Sequence, residues 1–371
     1  MVEYHYLFEE NIHVYKTGAG KNAGHHATRT GVANMSDRLI ITPAESAHLG
    51  VEFIKSLHAQ RDRLMPLILP GMDNYFMPLL PGELVAVVAR THNGKSWFMN
   101  QWSKRMIKHL QTKNRDEAIV WVDTEMTADS LGTSAIARGA GLRMTDVLYS
   151  KAGLDMVALM NAARQVSEVP LYTIATRLGS KDGGAEVHLT NIQNGIRDLT
   201  KGQVDGQPRK VAAIFVDYLQ ALPIDPTVRK SAAENQRRLQ VSRDVDRLRS
   251  MGSIFNCPVI IGVQAKQDLA PTEAQRALGL PTIYDGQETA NIAQRPDRII
   301  SLSVAPRNFP RGYHIDYHGY TDTVRDGLMF LGVWKQRAAF DALPAGHVFA
   351  YEMNDDPDPF RGMKNLWSEW P

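Results

Sequence analysis

The sequence predicts an α/β fold whose central sheet is mostly parallel and covered by helices on both faces. Two observations lead there. From Glu83 onward, short runs that are almost wholly apolar alternate with longer stretches of helical period. Strands flanked by helices on both faces read as continuous apolar runs, because neither face meets water. The final two runs, LMFLGVWKQR and HVFAYEM, read instead as antiparallel edge strands.

The elements follow in order. Residues 1–42 show little periodicity and include the segment GAGKNAGHHATRTG, which suits a mobile arm or small appendage. Its fragment Gly18-Ala19-Gly20-Lys21-Asn22 resembles half a phosphate loop but follows no apolar strand. From Thr42 the pattern is helical, with Pro43 at the start and Ala47, Leu49, Val51, Phe53, Ile54 and Leu57 as its apolar positions up to about residue 62. A Pro-rich connector then leads to the main domain, so the expected division is 1–42, 43–79 and 80–371.

Within the main domain, LVAVVA (84–89) precedes a helix from Gly94 to about Leu110. AIVWVD (118–123) precedes helices across about 128–166, and LYTIA (171–175) precedes a helix near 187–200. VAAIFVD (211–217) leads into a long polar-faced helix at about 231–252. PVIIGVQ (258–264) and, after a loop, IISLSV (299–304) complete the parallel set.

Composition narrows the function classes only modestly. No run reaches the ~18 apolar residues of a membrane span, and MVEYHYLFEE lacks the layout of a signal peptide. The single cysteine, Cys257, excludes an internal disulfide, suits a reducing cytosol and precedes an apolar run that predicts burial. The twelve histidines show no zinc-ligand spacing. A net charge of +2 means that any nucleic-acid contact relies on local positive groups and not on a basic surface.

The chemistry is concentrated in a phosphate loop. Ala89-Arg90-Thr91-His92-Asn93-Gly94-Lys95-Ser96 follows a strand and opens a helix, the context such a loop requires. Backbone N–H groups and the helix N-terminus present positive charge to a polyphosphate. Gly94 leaves room for phosphate, Lys95 is placed to reach the β- and γ-phosphates of ATP, and Ser96 to ligate Mg2+. The bland reading is an ordinary strand-to-helix turn, against which the strand before and the helix after both count. Trp97, Phe98 and Trp102 behind the loop read as helix core, and His92 as loop surface.

Hydrolysis also needs acidic partners. Asp217 ends a hydrophobic strand, where a carboxylate without a cation is costly, and so predicts a Mg2+ site shared with Ser96. Glu125, just past the strand after the loop helix, is placed to polarise the attacking water, with Asp123 as a competitor.

In this order the motifs resemble the DnaB family of replicative helicases, from about residue 80 to 352. PGELVAVVARTHNGKS is similar to that family's lead-in and Walker A motif, including Ala89 at the first glycine position and Arg90 after it. DTEMT resembles the segment of its catalytic glutamate, which falls on Glu125; FVDYLQ resembles its Walker B motif, with Asp217 as the magnesium carboxylate and Gln220 following. NCPVIIGVQ resembles the strand ending in a γ-phosphate-sensing glutamine, Gln264. WKQR resembles the strand of a Lys-x-Arg pair that reaches a neighbouring subunit's γ-phosphate, which implies that role for Lys335 and Arg337, otherwise a solvated edge-strand pair.

The resemblance implies a RecA-like P-loop NTPase that hydrolyses ATP with Mg2+ as a hexameric ring on single-stranded DNA, in the cytoplasm. The helix at 43–62 resembles the family's linker helix, which docks on an adjacent subunit, although packing on its own domain satisfies the same apolar positions. The short N-terminus suggests a phage or plasmid version, hence a bacterial host cytoplasm, and leaves primase or loader contacts without a basis. A second departure lies in PTIYDGQETANIAQRPDRII, which resembles the DNA-facing loop. Gln287 replaces an expected arginine and Ala290 a glycine, leaving Lys266, Gln287 and Glu288 as the DNA-facing candidates, with Arg276 and Arg307 able to compensate.

The Arg-rich helix with Arg237, Arg238, Arg243, Arg247 and Arg249 reads as a solvated amphipathic face, with Leu239, Val241, Val245 and Leu248 interleaved. The competing function is a RecA-like ATPase that forms ATP-gated rings or filaments on DNA or protein without unwinding, a choice that fold alone does not make. A P-loop kinase is weaker, since no lid-like arginine cluster is recognisable.

Overall fold

The computed structural model describes residues 40–59, 64–67, 72, 77–149, 153–177, 187–223, 233–266, 273–282, 285–286, 291–336 and 347–353. The chain forms two compact units, Met1–Gln60 and Arg61–Pro371. In the first, α1 (Pro43–Ala59) begins with a reciprocal capping box. Thr42 Oγ1 accepts from Glu45 N at 3.2 Å, and Glu45 Oε2 accepts from Thr42 N at 2.8 Å, with Pro43 at the first helical position where its missing N–H costs nothing. Its apolar residues Leu49, Val51, Phe53 and Ile54 are exposed.

Among the described residues the second unit contains ten strands: β1 (Leu84–Ala89), β2 (Glu117–Asp123), β3 (Leu171–Ile174), β4 (Lys210–Asp217), β5 (Val259–Gln264), β6 (Arg298–Val304), β7 (His314–Tyr317), β8 (Tyr320–Thr323), β9 (Leu328–Gln336) and β10 (His347–Glu352). Its helices are α2 (Lys95–Thr112), α3 (Ala128–Gly139), α4 (Met144–Tyr149), α5 (Met156–Ser167), α6 (Leu189–Thr200), α7 (Ala233–Phe255), α8 (Glu273–Leu278), α9 (Asn291–Gln294) and α10 (Ala305–Asn308). Eight strands form one sheet in the order β10-β9-β6-β1-β5-β4-β2-β3. β6, β1, β5, β4, β2 and β3 run parallel, while β9 and β10 pair antiparallel at one edge, as the sequence pattern predicts.

Alternation within each buried strand feeds two cores. Val85, Val87 and Ala89 face the core built on α2, and Leu84, Ala86 and Val88 face the core built on α6 and α7. On the α2 side, Trp102 packs edge-on against Phe215 of β4, and Phe215 stacks on Trp121 of β2. This aromatic column seats α2 across the middle of the sheet. Connector residues Met65, Leu67, Met72 and Leu79 are buried in the same core.

The helices expected across 128–166 are α3, α4 and α5, with Gly141 at a φ of 71° just past the end of α3. Two details differ from the sequence reading. A hairpin, β7–β8, appears in a region assigned no element; it turns through His318 and Gly319 at φ of 46° and 83° and buries Ile315, Tyr317 and Tyr320 with Leu328 and Phe330. The arginines of α7 are not simply a solvated face. Arg237 donates to Gln220 O and Leu222 O, Arg247 to Thr190 Oγ1 on α6, and Arg249 to Asp297, because carbonyls and a carboxylate beside α7 need donors. Leu239 is exposed, while Val241, Val245 and Leu248 are buried. Among the described residues no helix is long and apolar enough to cross a membrane.

The connector is fixed to β6 by a buried ion pair. Arg298, 1% exposed, donates to both oxygens of Glu83 and to the carbonyls of Met77 and Pro78 at 2.6 and 2.9 Å. Burial pushes the Glu83 carboxyl up, against the opposing pull of Arg298 and the Leu80 N–H. A pair this desolvated adds little net stability, but losing one partner strands the other. Arg298→Met is therefore expected to cost on the order of 3–5 kcal/mol of unfolding free energy in urea titration. A loss below ~1 kcal/mol, the range of an exposed pair, would show that the connector is held by its apolar residues alone.

Candidate active site

Four neighbouring strands end on one edge of the sheet, and each delivers one functional group. β1 ends at buried Ala89 and opens into the loop Arg90–Gly94. Ala89 pairs with Gln264 on one side and Leu302 on the other. It lies in a strand and not in a left-handed turn, which is why alanine serves where the general motif has glycine. The left-handed positions fall later, at His92 with φ 63° and at Gly94 with φ 76°. Arg90 is half-buried, and Thr91 and His92 are exposed.

Asn93 is buried and braces the loop. Its Oδ1 accepts from Val304 N at 3.1 Å and from Asn308 Nδ2 at 2.7 Å, while its Nδ2 donates to Thr91 O. Its own N–H donates to Arg90 O, so the residue shapes the loop chiefly through its side chain. Gly94 then precedes α2, whose N-terminus has no side-chain cap and no acidic residue in its first turn. Unsatisfied first-turn N–H groups with the helix dipole behind them fit a phosphate anion. Ser96, exposed in that turn, fits the hydroxyl ligand of a phosphate-bound Mg2+.

Lys95 Nζ forms an ion pair with Asp217 Oδ1 at the end of β4 and stands 4.6 Å from the ring centroid of Tyr218. The pair is mostly buried. Room for it comes from Gly262 of β5, where a Cβ would lie 3.1 Å from Asp217 Oδ1, Lys95 Nζ and Met99 Sδ. The ammonium beside Asp217 marks a point where a cation is favoured, which fits the magnesium role proposed by sequence. Among the described residues no three His, Cys, Asp or Glu side chains converge as a metal site; Mg2+ held by one carboxylate and phosphate oxygens does not need such a cluster.

Beyond β2, Asp123 and Glu125 have different jobs. Asp123 is buried and accepts from Trp121 Nε1, Glu125 N and Met126 N at 3.2, 3.0 and 2.7 Å. Its lone pairs are committed to the turn, leaving exposed Glu125 as the carboxylate that turn presents. Thr124 ties the turn to β4, donating to Asp217 O and accepting from Tyr218 N at 3.0 Å. Gln264, at the end of β5, donates from Nε2 to Thr91 Oγ1 at 2.7 Å. Its backbone is clasped by Gln220, a contact that the sequence reading did not assign.

The remaining candidates lie elsewhere. Lys335 on β9 is level with Ile299, which pairs beside Ala86, three residues short of the Ala89 end of β1. Its Nζ donates to Ala293 O and Gln294 O at the end of α9, toward the opposite edge from the phosphate loop. Lys266, Arg276 and Arg307 are exposed. Arg337, Gln287, Glu288 and Ala290 lie outside the described residues. The segment before Gln287 is anchored: Gly286 bridges to Ala265, Asp285 caps Thr282 N at 2.6 Å, and a Cβ on Gly286 would meet Ile292 at 2.9 Å.

With this geometry in hand, comparison with known proteins is specific. The model of the family described as DnaB-like helicase C terminal domain matches residues 66–308. Among solved structures, an ATPase domain superposes with a TM-score of 0.60 at 16% identity, over 86% of this chain and 98% of that one. A DnaB-like replicative helicase, solved in a study of its interactions with primase, gives a TM-score of 0.60 at 17% identity, over 86% of this chain and 66% of that one. At such identities the structural likeness is one of fold. No curated protein matches in sequence.

The tight space beside Lys95 generates a prediction. Gly262→Ala puts a methyl against the ion pair, and overpacking of this kind costs about 1–3 kcal/mol, so nucleotide affinity is expected to fall on the order of tenfold. Titration with a fluorescent nucleotide measures this. Unchanged affinity would mean that Lys95 and Asp217 move aside freely and that the glycine is incidental.

Proposed function

The chain belongs to the DnaB-like helicase family, and from that premise we propose that it is an ATP-hydrolysing motor that translocates on single-stranded DNA as a hexameric ring and separates duplex. The observation that carries the proposal is the Lys95–Asp217 pair beneath the uncapped start of α2, flanked by Glu125 and Gln264. Lys95 opens α2, and the other three lie at or just past the ends of neighbouring strands, a set that suits phosphoryl transfer to water.

Bound ATP supplies the phosphoanhydride to be broken, and Mg2+ the charge that offsets its oxygens. Lys95 exchanges Asp217 for the β- and γ-phosphate oxygens, and Arg90, Thr91, His92, Asn93 and Gly94 shape the cradle. Ser96 and Asp217 hold the magnesium. Glu125 takes a proton from the attacking water, and Gln264 swings from Thr91 Oγ1 toward the γ-phosphate. Lys335 and Arg337 serve the site of the adjacent subunit; the distance of Lys335 from its own phosphate loop supports a role in trans. The exposed apolar face of α1 supports docking on a second copy. Lys266, Gln287 and Glu288 contribute to a DNA contact that follows phosphates and not base sequence. The working compartment is the cytoplasm.

Two measurements test the reading. ATP turnover is expected to rise with single-stranded DNA and to vanish in Lys95→Ala; turnover indifferent to DNA would favour an ATP-gated assembly protein that does not unwind. For the base, general catalysis contributes roughly 10²–10⁴-fold, so Glu125→Gln is expected to lower kcat by that order while nucleotide binding persists. Full turnover in Glu125→Gln would remove Glu125 from the mechanism.

A further inference from the structure

β5 extends further toward the site than its neighbour β4. Their pairing ends at Val216 and Ile261, whereas β5 stays paired with β1 as far as Gln264. Within a strand, the N–H and C=O of one residue point to the same side and those of the next residue to the other. Ala265 N donates to Ala89 O, so the N–H and C=O of Gln264 face the β4 side. There β4 has already turned away through Asp217 and Tyr218 into the short turn Leu219–Ala221.

Gln220 fills that gap. Its Oε1 accepts from Gln264 N at 3.1 Å, and its Nε2 donates to Gln264 O at 3.1 Å. A primary amide carries one acceptor oxygen and a donor nitrogen on a single plane, so one side chain reproduces what a strand neighbour offers. Gln220 is buried, and its own carbonyl and that of Leu222 accept from Arg237. The residue therefore completes the sheet ladder at Gln264, whose side chain reaches Thr91 Oγ1 of the phosphate loop.

We propose that Gln220 is a positioning residue for catalysis: by clasping the Gln264 backbone it sets the height and direction from which the Gln264 carboxamide meets the γ-phosphate. The inference rests on the motor reading of the site. On that reading Gln220 acts through the Gln264 backbone that it holds. Its effect is thus confined to the state in which a γ-phosphate is present.

The test is a double-variant cycle on the full chain, with ATP turnover and fluorescent-ADP binding as readouts. Gln220→Met keeps the volume and removes both bonds. Misplacing a reacting group by ~1 Å costs on the order of 10²-fold in rate, and a kcat loss of about that size is expected, with ADP affinity held within about twofold. ADP has no γ-phosphate, so general damage to the site would weaken it and the loss of Gln264 alignment would not. Groups acting through one another are non-additive, so Gln220→Met with Gln264→Ala is expected to be no slower than Gln264→Ala alone. Should Gln220→Met fail to fold, Gln220→Leu removes the same two bonds without burying a charge and is expected to give a kcat loss of the same order with the same non-additivity. Multiplying losses, ADP affinity falling with kcat, or an unchanged kcat would each overturn the proposal. A wild-type chain with no ATP turnover at all would defeat the motor reading, and the clasp with it; turnover lost in Gln264→Ala but kept in Gln220→Met defeats only the clasp.

Discussion

A carboxylate at the end of a strand buried on both faces needs a positive partner, and Asp217 is such a carboxylate. The penalty for leaving a desolvated charge unpaired is several kcal/mol. Lys95 supplies the partner, and much of the surrounding structure can be traced to that meeting. α2 must start where its first residue reaches across β5, so the loop before it turns left-handed at His92 and Gly94. β5 must carry no side chain at the crossing, which is Gly262. The loop must hold still, which Asn93 ensures by tying it to Val304 and Asn308.

Much of the fold was legible in the sequence because buried parallel strands have one appearance: LVAVVA, AIVWVD, VAAIFVD and VIIGVQ are apolar up to their last residue since both faces are covered. The phosphate loop and Asp217 were legible for the same reason, each lying at the end of such a run. The β7–β8 hairpin was harder to see. Its strands HIDY and YTDT bury one face only, so half their residues are polar, and its turn relies on histidine before glycine where asparagine is the commoner signal. The α7 arginines misled for a different reason. Charge on a helix ordinarily means solvent, but whether a guanidinium meets water or a carbonyl depends on what lies across from it, as Arg237 and Gln220 O show. Long-range partners such as Glu83 with Arg298, 215 positions apart, leave no local trace.

The candidate site has one geometric rule, that adjacent strands β1, β5, β4 and beyond them β2 finish on the same edge of the sheet. Each strand end contributes one group, and cross-links between the ends fix their relative heights: Thr124 joins β2 to β4, Gln220 joins β4 to β5, and Gln264 joins β5 to the loop after β1. Asp123 is instructive here. It is the more buried of the two acids after β2, yet its bonds to the Glu125 and Met126 amides assign it to shaping the turn.

Lys335 lies toward the far edge, bonded to the last carbonyls of α9, while Lys95 lies at the near one. An assembly that uses both has a consequence in symmetry. A two-fold contact that sets far edge against near edge does so twice within one interface and is complete at two copies. A head-to-tail contact instead leaves each copy with one edge still to fill, and successive copies either close as a ring or run on as a helix. Which of these occurs is decided by the rotation between successive copies, an angle that no single residue encodes, and an open arrangement always leaves one terminal subunit with half of its partner set missing.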